Sequence, residues 1–267
     1  MSLSLLAWLS LTARTLLVLL LTPSLLFAAD TAKVKNLLDQ SGFTEQVQSW
    51  PDMVRAEIRQ HGEITDDNLD LILTRADSDT LVSELQTSVQ EHMEKTLSAA
   101  DLEAISQWYQ SALGKRITQE EVQAATKHGL LEMQQQAKQL QADTDKVARM
   151  RQLDELTGTT DNALALHTYS ATAVAKAIPG NDAGAKPAAP DPTVLRAQIE
   201  KRVDLAFLYA YRNLDAESLD RYQDFLASEP AQRFHQAIHE GMTSALSREI
   251  DSWANQLHEA MSALNTD

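Results

Sequence analysis

From residue 30 onward the apolar positions recur three and four apart. Leu81, Leu85, Val89 and Met93 trace one stripe, and Phe234, Ile238, Met242, Ala245, Trp253 and Leu257 trace another. This is the period of an α-helix, and the alternation of a half-buried strand is scarce, so the pattern predicts an all-α fold. The punctuation agrees. Gly42, Gly62 and Gly158 follow periodic runs where a helix would stop, and Asp77, Ser98, Ser111, Asp215 and Ser228 stand where N-caps belong. Ser98 with Asp101 three residues on reads as an acidic capping box.

The chain writes one phrase twice. Shifted by 117 residues, the stretch 97–117 lies over 214–234 without a gap, with Leu97 on Leu214, Ala99 on Ala216, Leu102 on Leu219, Ser111 on Ser228 and Arg116 on Arg233. Shifted by 116, Lys35 falls on Arg151, Leu37 on Leu153, and Ser41-Gly42 on Thr157-Gly158. Two matches at nearly equal offsets predict a tandem duplication of a helical bundle of about 115 residues. The expected organisation is one copy over 30–147 and a second over 148–267, each closing its own hydrophobic interior. The Pro/Gly/Ala-rich "PGNDAGAKPAAPDP" of 179–192 then becomes an exposed loop inside the second copy.

Physically the phrase encodes a corner. A helix begins at Ser98 or Asp215 and runs about three turns, and Ser111 or Ser228 then caps the next helix by accepting from orphaned amides. Gly114 permits close backbone approach, with Ala231 in its place in the second copy, where Pro230 sits in the first helical turn. The run Trp108-Tyr109-Gln110-Ser111-Ala112-Leu113-Gly114-Lys115 after "LSAADLEAI" resembles the secreted bacterial helical family called domain of unknown function 2059. That resemblance implies an all-helical fold and an envelope location, and it brings no catalytic residues with it. The second copy departs from the motif at Glu229, Pro230 and Ala231.

The first 29 residues change the picture of compartment. Arg14, the apolar run Leu16–Leu21, Pro23 and the small residues Ala28 and Ala29 outline a secretory signal, which places the mature protein in the periplasm or cell envelope. Left uncleaved, the segment would tether the chain to the membrane, the one membrane association expected. The net charge of −15 repels phosphate backbones, so nucleic acid is not an expected partner. With no cysteine, stability has to come from burial rather than disulfides.

Chemistry-bearing motifs are sparse. No nucleophile elbow, phosphate loop or dinucleotide fingerprint is present, and no cofactor or catalytic residue is expected. His235 and His239 lie four apart on one helix and are the candidate metal pair, although Gln236 stands where the zinc-hydrolase signature needs glutamate. The pairs Trp108-Tyr109 and Phe225-Leu226 are the candidate partner-binding patches, because neighbouring helical residues diverge by about 100° and burying both needs a wide apolar face. Gly114, Lys115, Arg116 and Arg233 flank them. The expected role is non-catalytic binding of an envelope protein or an apolar ligand. The rivals are a metal-dependent hydrolase built on His235 and His239, and a carrier whose helices open around an apolar ligand between the copies.

Overall fold

The computed structural model describes residues 31–48, 70–71, 74, 78–177 and 191–264. The secretory segment, Gly62, Asp77 and most of the 179–192 loop lie outside them. Among the described residues the chain is all-α, without a strand. In order the helices are α1 (Thr31–Gln40), α2 (Phe43–Gln48), α3 (Ser78–Thr96), α4 (Ala99–Gln110), α5 (Ala112–Ala125), α6 (Lys127–Leu140), α7 (Thr144–Thr157), α8 (Thr159–Ala177), α9 (Pro192–Ala210), α10 (Ala216–Leu226) and α11 (Glu229–Leu264).

Local chemistry explains their limits. Gly42 and Gly158 both turn with positive φ, 75° and 64°, where an L side chain is strained. Ser98 and Asp215 both cap with extended backbone, and Ser98 with Asp101 completes the reciprocal box. The boundary expected at 147/148 falls inside α7, which is capped by Asp143, whose Oδ1 accepts from the Lys146 amide at 3.0 Å. Asp191 and Pro192, expected in the loop, instead open α9. Asp191 accepts from the Thr193 amide at 2.8 Å, and Pro192 occupies a first-turn position that needs no N–H.

One difference between the halves is a broken helix. Thr126 ends α5 and caps α6 by accepting from the Gly129 amide at 3.0 Å. A Cβ at position 129 would sit 2.3 Å from the Gln123 carbonyl, so this bend requires glycine. The residue 117 further on is Leu246, and there the chain stays helical, giving the single 36-residue α11.

The interiors are shared between the halves. One buried cluster joins α1–α4 to α11, from Val34 and Leu37 through Leu85, Met93 and Ile105 to Phe234, Ala245 and Leu257. The other joins Leu113 and Ile117 of α5 to Met150 and Leu153 of α7, Leu208 and Tyr211 around the end of α9, and Leu219 and Leu226 of α10. α11 packs mainly on α3 and α8, while α5 and α6 pack on α9. The expectation that each copy closes its own interior is therefore corrected. A helical stripe states that a face is buried and leaves open which neighbour buries it.

Candidate functional site

The first corner is the tighter of the two. Ser111 alone ends α4 and caps α5, donating its amide to the Gln107 and Trp108 carbonyls and accepting from the Gly114 amide at 3.0 Å. The second corner spreads these tasks over Ala227 and Ser228, whose hydroxyl accepts from Ala231 at 3.4 Å. Tyr109 and Leu226 are buried, one in each cluster. Trp108 and Phe225, which are 117 residues apart, stack face to face with centroids separated by 4.5 Å and planes inclined by 6°, and each packs against both clusters.

The four aromatic and apolar partner-binding candidates are thus brought together where the clusters meet, with Tyr109 and Leu226 buried and Trp108 and Phe225 half-buried. The second member of each pair is partly covered because the second cluster supplies a wall for the second direction. Gly114 is buried beneath the corner, and Lys115 points to solvent. Arg116 donates to the Asn213 carbonyl at 2.7 Å, and Arg233 donates to Asp101 at 2.6 Å and Glu229 at 3.3 Å. Each arginine thereby ties its corner to the helix entry of the other half.

Burial pushes the Asp101 carboxyl up, but hydrogen bonds from Arg233 and from the amide and hydroxyl of Ser98 outweigh it, leaving the pKa below the usual carboxylate value. A lowered folded pKa stabilises above the unfolded value, and that contribution disappears as pH falls through the folded one. Asp101→Asn is expected to cost about 2 kcal/mol at neutral pH and to lose less stability than the parent on acidification. Urea melts at neutral and acid pH read both effects.

Where the two clusters meet, the structure holds a cavity of about 440 Å³. Residues from both halves line it, including Ser41 just after α1 and Thr157 at the end of α7, each followed by a positive-φ glycine. Its one carboxylate among the described lining residues is Glu121 of α5. Tyr211 and Tyr222 both donate their hydroxyls to Glu121 Oε1, Tyr222 at 3.1 Å. Desolvation raises the Glu121 pKa against the lowering by these donors, and burial holds both phenols well above their ordinary value. The cavity approaches solvent beside α6, where Leu130 lines it and is 43% exposed.

Glu121 was not among the residues singled out from the sequence, although a signal for it exists. It continues the α5 stripe of Leu113 and Ile117, and the position 117 residues on is Ile238, so a carboxylate stands where the helical period wants an apolar side chain and the matching stretch has one.

Of the candidate metal pair, His235 lines the cavity, and its Nε2 is buried without a hydrogen-bond partner. His239 Nδ1 is 2.8 Å from Asn162 Oδ1 on α8. Among the described residues no group of three or more His, Asp or Glu is gathered as metal ligands. Burial lowers the His235 pKa to about 4. Between that value and the ordinary pKa of about 6.5, the unfolded chain binds a proton that the folded chain excludes, so stability rises with pH across this window. His235→Leu is expected to flatten that slope in melts taken from pH 4 to 7.

The corner at Ser111, the bend at Thr126 and Glu121 all fall within one stretch of known kind. Residues 83–143 match the family DUF2059, described as an uncharacterized protein conserved in bacteria. No curated protein and no solved structure matches the chain. The DUF2059 segment runs from within α3 to Asp143, the cap of α7, and it brings Leu85, Tyr109, Glu121 and Leu130 to the cavity. The rest of the lining comes from outside that segment, from Ser41 and α2 on one side of it in sequence and from Thr157, α8, the end of α9, α10 and α11 on the other. Among the described residues no helix is long and apolar enough to cross a membrane.

Proposed function

We propose that this is a non-catalytic envelope protein that holds a small apolar molecule between its two halves. The cavity at the junction of the two clusters carries this reading. Its volume of about 440 Å³ lies in the range of small-molecule sites. The lining is mostly apolar and aromatic, with a few converging polar groups, as ligand sites require. The N-terminal apolar run supports the envelope location.

The arrangement behind the cavity is read as a duplicated unit whose closing helices are exchanged. Support comes from the similar offsets of the helix starts, 113 to 117 residues, the paired positive-φ glycines, and the burial of Val34 with Met150 and of Leu37 with Leu153. In this reading α5 with α6 answers to α11, each lies against the other half, and the cavity occupies the seam that the exchange leaves.

The test is uptake of a neutral apolar fluorophore, N-phenyl-1-naphthylamine, by the purified chain. Saturable binding at a single site is expected, with loss on Ala163→Phe, which fills the cavity from α8. Absence of uptake, or uptake indifferent to that substitution, overturns the reading. Mass spectrometry of organic extracts from the purified protein identifies whatever it carries.

A further inference from the structure

We propose that the cavity ligand is an organic cation, an ammonium group carried on an apolar body. This assignment rests on the ligand-holding role proposed above and narrows it to a charge class. Six aromatic side chains line the space: Phe43, Tyr109, Phe207, Tyr211, Tyr222 and Phe234. The negative faces of aromatic rings attract cations, and the attraction grows when water is excluded. Such cages take alkylammonium heads that a purely aliphatic pocket would reject.

The charges around the space point the same way. Among the described lining residues Glu121 is the one acid, and no lysine or arginine joins it. His235, the remaining titratable base, is kept neutral by burial. A carboxylate or phosphate head entering here would lose its water, meet Glu121 and find no counter-charge, which is a costly burial. A cation meets the reverse situation. Tyr211 and Tyr222 both donate to Oε1 of Glu121, and among the described residues no donor reaches Oε2, which is the acceptor left for an ammonium group. The acidic chain as a whole, with its net charge of −15, also draws cations toward the surface from solution.

Titration calorimetry on the purified full-length chain tests the assignment with three probes of one tail: decyltrimethylammonium, 1-decanol and decanoate, each kept below micelle formation. The ammonium is expected to bind at a single site about tenfold or more tighter than the alcohol or the carboxylate. Glu121→Gln keeps an Oε1 acceptor for both tyrosines while removing the charge, and it is expected to weaken the ammonium about tenfold and leave decanol unchanged. Circular dichroism establishes that this variant folds, and the order of the three probes on the parent protein decides the matter even where it does not. Decanoate binding as tightly as the ammonium, or an ammonium affinity indifferent to Glu121→Gln, overturns the cation assignment and leaves the cavity as a ligand site. Binding of none of the three probes, together with exclusion of the naphthylamine, overturns the ligand-holding role and this inference with it.

Discussion

Gly114→Ala is expected to destabilise the protein by about 3 kcal/mol or more, lowering the melting temperature by roughly 10 °C. A Cβ at this position would lie 2.1 Å from the Trp108 carbonyl oxygen and 3.0 Å from Tyr109 Cα. Both are backbone atoms of α4, so no side chain can swing aside, and relief requires opening the corner itself. The corner is this tight because Ser111 both ends α4 and begins α5. At the second corner, where Ala227 and Ser228 divide the turn, Ala231 occupies the matching place and is fully buried without trouble. Ala231→Gly is accordingly expected to cost only about 1 kcal/mol. Thermal melts of the two variants side by side check the asymmetry, and equal losses would contradict the account of the corner.

Trp108→Ala and Phe225→Ala are expected to cost about 3 kcal/mol each, toward the lower end for large aromatics because both rings are half-buried. The two losses are not independent. The rings stack on one another at 4.5 Å, and Trp108 also stacks with Tyr222 at 5.9 Å, so either truncation strips the other ring of its partner. The double variant should therefore lose about 1 kcal/mol less than the sum of the singles. Denaturant melts closing the double-mutant cycle measure that coupling. Strict additivity would mean that the two halves do not communicate through this stack.

What the sequence made legible follows from the range of the forces involved. Caps and turns act within a few residues, so Ser98 with Asp101, the corner at Ser111, and the stops at Gly42 and Gly158 could all be read before any coordinates. The partner of each stripe could not. Phe234, Ile238 and Met242 announce a buried face on α11, but nothing in their spacing distinguishes a neighbour in the same half from α3 in the other. The same blindness made Trp108 and Phe225 look like a candidate surface, since the wall that covers them is formed by residues remote in sequence. Glu121 escaped notice for a simpler reason: in so acidic a chain a carboxylate draws attention only when its place in the apolar stripe is compared with Ile238, 117 residues on.

The sharing of α11 by the first cluster dictates an order of assembly. Helices α1 to α4 supply part of an interior that α11 completes some 120 residues later, a long separation by the standards that govern folding speed. During synthesis the early half must wait, its leucines uncovered, until α11 emerges, whereas the second heart of the molecule takes nothing from that helix and is free to shut before it.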